Sequence, residues 1–275
     1  MFSNFKGLQG DSFYRCIKCS EAVKFLNGRF FCPSCQKDWG SNGRYPDFID
    51  DDFYWGEIPR DYMKEVCEYA KKNGWIEALE KKIRKVNPNI YRYVMSCNRA
   101  DWRVLLNLDE NSVVLDLGAG WGTISSILSD FVGKVYALES IKERVDFIDI
   151  RKEQDNKNIY PVRADFNDPP FFNESFDLIV CNGVLEWVAL NKFDGSPRKV
   201  QIDFLKRLYK LLKPKGTLYI GIENRFSYES FNGAIDHSGL PYTNLLPRFL
   251  ADIVVRLNAL VKLKTKNFFL SKRLG

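Results

Sequence analysis

Histidine is nearly missing from this chain: His237 is the one such residue among 275. A single imidazole is therefore all the sequence offers as a general base that titrates near neutral pH. Long apolar runs are missing as well. No uninterrupted stretch approaches the roughly 20 residues that span a bilayer, and Met1-Phe2-Ser3-Asn4-Phe5-Lys6 has no apolar core of a secretory signal. The expected location is the cytoplasm. Nor is there an arginine-rich arm. The basic stretches Lys81-Lys82-Ile83-Arg84-Lys85 and Lys262-Leu263-Lys264-Thr265-Lys266 are short and compatible with helix. A net charge of +6 permits an anionic partner, such as a nucleotide sugar, a lipid-linked glycan or RNA, without demanding one. What is present, 45% hydrophobic and 28% charged residues, is the composition of a globular protein. The length suits one sizeable core with a small appendage.

Seven cysteines are present, and the spacing of four points away from disulfides. Cys16-x-x-Cys19 and Cys32-x-x-Cys35 are two knuckles separated by twelve residues, the arrangement that sets four thiolates around one Zn²⁺. Between them, Asn27-Gly28 reads as the turn of a hairpin with aromatics on both arms. All four positions would be filled, so the metal would be structural and would supply the folding energy that so small a module lacks. Cys67, Cys97 and Cys181 are scattered and read as reduced thiols.

From residue 50 to about 107 the pattern turns helical. Met63, Val66, Cys67 and Ala70 share one spacing, as do Ile76, Leu79 and Ile83, and Asn87-Pro88 breaks the run before a further helix. Aromatics are frequent here. Asn98-Arg99-Ala100-Asp101-Trp102, just ahead of the next strand, is the segment expected to reach a functional site.

That strand opens the most informative stretch, Val113-Val114-Leu115-Asp116-Leu117-Gly118-Ala119-Gly120-Trp121-Gly122-Thr123. An apolar run, a carboxylate, a glycine-rich turn and an apolar-periodic helix follow one another, the layout of a ligand site at the carboxyl end of a parallel strand. Glycine patterns occur without such a site, so context decides. The next apolar run, Lys134-Val135-Tyr136-Ala137-Leu138, ends in Glu139, placed for a ribose diol. Asp116 would repel a pyrophosphate but suits a ligand carrying an ammonium or sulfonium group.

Five motifs in order carry a resemblance: the Asp116-to-Gly122 turn, Glu139, Ala164-Asp165-Phe166, the strand Phe176 to Asn182, and Leu212-Lys213-Pro214-Lys215-Gly216 before a strand from Thr217 to Ile222. Across roughly residues 100–224 the chain resembles the class I S-adenosylmethionine-dependent methyltransferases. The resemblance implies an α/β, Rossmann-like fold, with a mostly parallel sheet and helices on both faces, preceded here by a zinc ribbon (1–49) and a helical cap (50–107). The methyltransferase domain would run from 108 to 275, with an insertion at 223–247. The ribbon and its exit, Gly43 to Ile49, are similar to those at the start of several such enzymes.

The resemblance implies S-adenosylmethionine as cofactor, held by Asp116, Gly118, Ala119, Gly120, Gly122, Glu139, Ser140, Asp165, Phe166, Asn182 and Gly183. It gives Asp165 the adenine amino group and the Phe166 amide a ring nitrogen; helix capping is the alternative role for Asp165. Asp168-Pro169-Pro170-Phe171 mimics an amine-methylating motif but precedes the fourth strand instead of following it, and reads as a loop. Where many relatives carry histidine after the fourth strand, this chain has Trp187, either a wall against the sulfonium or a core residue. His237, with Tyr242 nearby, follows the fifth strand and is the candidate acceptor of a substrate proton.

Leu245 to about Leu263 reads as an amphipathic helix, expected to cover the sheet, dock a partner or lie on a membrane. The residues beyond it are too few for the antiparallel hairpin with which relatives complete the sheet. Methylation of an oxygen or nitrogen on a small molecule or glycan precursor is the expected activity. Ribosomal RNA base methylation is the rival, and a non-catalytic cofactor-binding scaffold that activates a partner is the third reading.

Overall fold

Runs of β-branched and aliphatic residues buried on both faces are what a parallel sheet requires, and five such strands form the centre of the protein. The structure, a computed structural model, describes residues 13–273 except 41–43, 52, 190–195, 223, 225, 236 and 237; along 261–273 it describes the helical backbone alone. The sheet strands are β4 (Val113–Leu117), β5 (Lys134–Glu139), β6 (Ile159–Arg163), β7 (Phe176–Asn182) and β8 (Leu212–Gly221). They are ordered β6-β5-β4-β7-β8, and every pairing is parallel. The order reverses between β4 and β7, and a ligand crevice opens where such a reversal occurs. The Rossmann-like fold class expected from the sequence is present, and among the described residues the sheet ends at five parallel strands.

One strand begins earlier than expected. β8 starts at Leu212 instead of Thr217, because Leu212 pairs with Phe176 while Thr217 pairs with Leu178. The intervening Pro214-Lys215-Gly216 forms an irregularity, with Lys215 at φ 67°. At Gly216 a Cβ would lie 2.9 Å from the Phe176 carbonyl oxygen.

The chain falls into two compact units, Met1–Gly221 and Ile222–Gly275. In the first, the N-terminal segment forms a three-stranded sheet of β1 (Tyr14–Arg15), β2 (Ala22–Leu26) and β3 (Arg29–Phe31). Asn27 and Gly28, at φ 50° and 77°, make the hairpin turn between β2 and β3 as expected. This small sheet does not keep a core to itself. Tyr14, Phe30 and Trp39 join one apolar cluster with Phe171 and with Tyr136 and Phe176 of the large sheet. Phe13 stacks on Tyr136 with ring centroids 4.2 Å apart. Each such aromatic pair adds about 0.5–1.5 kcal/mol beyond its buried area.

The ribbon exit also extends the large sheet. Asp47 bridges in parallel to Arg163 at the outer edge of β6, with Phe48 N–H donating to the Arg163 carbonyl at 2.8 Å and Arg163 N–H to the Pro46 carbonyl at 3.0 Å. Covering an edge in this way removes a row of open backbone groups.

Helices α1 (Arg60–Asn73), α2 (Trp75–Ala78, continued as a π-turn over Leu79–Ile83) and α3 (Pro88–Met95) form the cap. Asn87 accepts from the Ile90 amide and Pro88 occupies the first turn, which starts α3 where the sequence suggested. Met63, Val66 and Ala70 pack with Phe147 and Ile150 of α5 (Lys142–Asp155). Helices α4 (Thr123–Leu128) and α6 (Pro197–Leu211) complete the layers of the first unit.

The second unit holds α7 (Tyr228–Phe231) and α8 (Arg248–Arg273). The expected C-terminal helix is present but starts after Pro247 and runs longer. Along it, Phe249, Ile253 and Leu257 are 65%, 51% and 57% exposed.

Candidate functional site

The β4 strand ends in a turn that only glycine-rich sequence can make. Gly118, Gly120 and Gly122 all have positive φ, at 71°, 57° and 75°. A Cβ on Gly118 would stand 2.5 Å from Val184 Cγ2, and one on Gly122 2.9 Å from Ile148 Cγ1. The Gly118 and Ala119 amides both donate to the Leu138 carbonyl at 2.9 Å, which ties the turn to the end of β5.

That register brings Glu139 against the glycine turn. Its Oε2 accepts the Gly120 amide at 2.9 Å, while Oε1 accepts the amides of Ser140 at 2.8 Å and Ile141 at 2.9 Å. The carboxylate is 5% exposed and fixed in orientation. Its unused lone pairs suit two vicinal hydroxyls. Asp116 lies deeper, 2% exposed, and accepts the Ser125 hydroxyl at 2.6 Å. Burial pushes its carboxyl up to about 6, against the pull of Ser125 and Arg99 and with the help of the Glu139 charge.

Four more residues, not singled out by sequence reasoning, complete this end of the sheet. Arg144, one turn into α5, donates to Glu57 Oε2 at 2.6 Å, lies 3.9 Å from Glu139 Oε2 and covers the Trp55 ring at 5.3 Å. Trp55 meets Trp187 with centroids 5.4 Å apart. Tyr93, on α3, turns its hydroxyl toward Gly120. Its ring carries the Arg99 guanidinium at 3.7 Å, so the segment expected to reach the site does so. No motif marks Glu57, Trp55, Tyr93 or Arg144; the helical spacing places them on the cap and α5 without saying which way they face.

At the end of β7, the Gly183 amide donates to the Gly221 carbonyl at 2.8 Å, joining β7 and β8 where Asn182 stands. Trp187 is half-buried. Beside it, Glu186 Oε2 is buried with no hydrogen-bond partner among the described residues, and so is Arg99 Nε. Asp165 is exposed, and its Oδ1 accepts the Asn167 amide at 2.8 Å. It closes a turn and caps no helix. Phe166 is half-buried, edge-on to Phe204. Asp116, Gly118, Ala119, Gly120, Gly122, Glu139 and Ser140 are thus brought together at the point where the strand order reverses. His237 lies outside the described residues, and Tyr242 is a half-exposed residue of the second unit at φ 65°.

Asp168-Pro169-Pro170-Phe171 is indeed a loop, and its partner is the ribbon. Arg15 Nη2 donates to Asp168 Oδ1 at 2.7 Å, the Arg15 amide donates to the Pro170 carbonyl at 2.9 Å, and Tyr14 bridges to Phe171.

The four ribbon cysteines converge as their spacing suggested, with all Sγ atoms within 4.8 Å of one another. Cys16 and Cys35 Sγ are 3.6 Å apart, and Cys19 and Cys32 Sγ 3.4 Å. Tetrahedral Zn–S bonds of about 2.3 Å put sulfurs about 3.8 Å apart, so the set fits Zn²⁺. Burial resists ionisation of Cys16, but the Cys19 and Lys18 amides and the Trp39 indole, 3.3 Å from the sulfur, outweigh it and bring the thiol down to about 6.

Residues 115–220 match the family described as the methyltransferase domain. Among solved structures the chain is similar to the YcgJ protein of Bacillus subtilis, at 20% identity over 44% of this chain and 48% of that one, TM-score 0.37. It is similar to the methyltransferase solved in complex with the Haloferax volcanii Trm112 methyltransferase activator, at 22% identity over 57% and 59%, TM-score 0.38. An S-adenosylmethionine-dependent methyltransferase of Aquifex aeolicus is similar at 21% identity over 64% and 85%, TM-score 0.43. The chain spans 48% of the length of the first of these and 59% of the second. Among curated proteins nothing matches.

Proposed function

We propose that the methyltransferase domain matched over residues 115–220 is that of a class I S-adenosylmethionine-dependent enzyme, and that the chain methylates an oxygen or nitrogen of a small molecule or glycan precursor. What supports the acceptor class is the buried Glu186 carboxylate oxygen, without a hydrogen-bond partner among the described residues and next in sequence to Trp187, which meets Trp55 of the cap. When bound, S-adenosylmethionine supplies a methyl group whose C–S bond breaks as the acceptor lone pair forms the new bond.

The chain's part is to position and to neutralise. Glu139, locked by three backbone amides, would hold the ribose, Asp165 and Phe166 the adenine and Asp116 the cationic end, with Asn182 and Gly183 completing the set. Alignment of the two reacting atoms accounts for most of the acceleration. Glu186 takes the proton that the acceptor loses, with His237 and Tyr242 as the alternative proton acceptors. The ribbon cysteines Cys16, Cys19, Cys32 and Cys35 hold a structural Zn²⁺. The parts of the whole are then a ribbon over 1–49, a cap over 50–107 and a methyltransferase domain from 108.

RNA as acceptor is the second reading, and charge argues against it. Helix α8 holds seven of the chain's 41 basic and one of its 35 acidic residues, so the ribbon, cap and sheet domain together have no positive excess for a phosphate backbone.

Transfer of a labelled methyl group from S-adenosylmethionine into fractionated cell extract tests the reading. Label in the small-molecule or glycan fraction supports it, label in RNA replaces it, and cofactor binding without any transfer points to a scaffold. Glu186→Gln is expected to lower kcat by about 10²–10⁴-fold with cofactor affinity unchanged. Full activity in that variant assigns the proton to His237 or Tyr242.

A further inference from the structure

We infer that α8 is an interfacial anchor that lays the second unit on an anionic lipid bilayer. Phe249, Leu250, Ile253, Val254, Leu257 and Leu260 recur at helical spacing and fall on one face, and each is 38–65% exposed. Arg248 and Asp252 fall on the opposite face, and Arg256 at the edge of the apolar one. Exposed apolar side chains of this size, contiguous along one face, mark a surface that something covers.

Charge identifies what covers it. Seven of the chain's 41 Lys and Arg lie on α8 against one of its 35 Asp and Glu. The helix therefore carries net +6, equal to the net charge of the whole chain, and the remaining 34 basic and 34 acidic residues cancel. A cationic helix with an uncovered apolar face on an otherwise neutral chain matches a surface that is anionic outside and apolar beneath, which is an anionic bilayer. RNA offers the charge but no apolar layer. A second copy of the helix would match the apolar face but repel the charge.

The helix lies along the surface and does not cross it. Its 26 residues extend about 39 Å at 1.5 Å each, but no described helix is long and apolar enough to cross a membrane. Lys262, Lys264 and Lys266 interrupt its second half.

The test is co-sedimentation of the full chain with vesicles of phosphatidylcholine alone, or with one-third phosphatidylglycerol. Binding to the anionic vesicles is expected, at least about tenfold weaker on phosphatidylcholine and weakened by added salt, since each basic residue near an anionic surface contributes about fivefold. Ile253→Asp with Leu257→Asp is expected to lower binding more than about tenfold, as two apolar side chains no longer enter the acyl region. Both residues are exposed, so unfolding temperature and S-adenosylmethionine affinity should not change, which keeps this test separate from that of the methyl acceptor. Three results overturn the anchor. They are no vesicle sedimentation by the wild-type chain, RNA binding tighter than vesicle binding and indifferent to the double substitution, and a wild-type dimer in light scattering that the substitution dissolves.

Discussion

The ribbon and the C-terminal helix are both appendages rich in large apolar side chains, and the chain treats them in opposite ways. Tyr14, Phe30 and Trp39 are 3%, 1% and 1% exposed, inside a cluster that the large sheet shares. Phe249, Ile253 and Leu257 are 65%, 51% and 57% exposed. The ribbon also makes backbone hydrogen bonds to β6 and to the Pro169-Pro170 loop, and its charges pair across long sequence separations, as Arg44 with Asp149 and Arg163 with Asp47. An appendage held like this is part of the first unit's stability. An exposed apolar face contributes little to stability.

Metal removal should break this contrast most strongly. Structural zinc contributes on the order of 10 kcal/mol to the folding of small modules, and the ribbon shares its core with the sheet. Chelation, or Cys32→Ser, should lower the unfolding temperature of the first unit by more than about 10 °C, about 4–8 °C following each kcal/mol in a small domain and less in a larger one. Calorimetry alongside metal analysis checks it, and an unchanged transition after verified metal loss would make the ribbon a passenger.

Arg163→Ala comes next. Its guanidinium, nearly buried, donates to Asp47 Oδ2 at 2.9 Å, to the Asp51 carbonyl at 2.9 Å and to the Ser140 carbonyl at 3.1 Å. It links the ribbon exit to Ser140, the residue that follows Glu139 at the end of β5. Loss of about 2–3 kcal/mol in denaturant unfolding is expected, somewhat below the range for a fully buried pair because Asp47 is partly solvated, together with weaker cofactor binding. Stability loss with cofactor affinity untouched would confine the ribbon to a purely structural role.

The pH response of the core follows from Asp116. Its carboxyl titrates at about 6 in the folded chain against 3.8 unfolded, so the native state holds the proton more tightly. Its contribution is therefore favourable below about pH 4 and is lost as the pH rises through about 6, a change of about 2–3 kcal/mol at 1.36 kcal/mol per unit. Cofactor affinity runs the other way, because only the ionised form attracts the cationic end. It should rise through the same window in the wild type and stay flat in Asp116→Asn.

The smallest effect belongs to the other appendage. Leu257→Ser should change stability by no more than about 0.5 kcal/mol, measured by the same denaturant titration. A larger loss would mean that α8 is packed within the chain after all.

What the sequence made legible was local. The Val113–Leu117 run and the three glycines after it specify strand, turn and helix within one short stretch, and the Cys-x-x-Cys pairs with Asn27-Gly28 specify the ribbon just as closely. Glu139 followed from its place at the end of the next strand. The pairings that join these pieces were not legible. Arg163 meets Asp47 across 116 positions and Arg144 meets Glu57 across 87, and no periodicity records which charged residue faces which. The early start of β8 was hidden because Pro214 and Gly216 signal a loop, whereas the register slip lets the strand continue around them. For α8 the amphipathic pattern was plain, but a pattern shows a face and not what covers it.

The central claim is that Glu139, fixed against the glycine turn, is the anchor of an S-adenosylmethionine site. Calorimetric titration of the zinc-loaded protein with S-adenosylmethionine tests it most directly, on the wild type and on Glu139→Ala. Micromolar binding that weakens at least about tenfold in the variant, the effect of losing 1.4 kcal/mol or more, is the expected result. No binding to the folded wild-type protein, or equal binding by both, would contradict it.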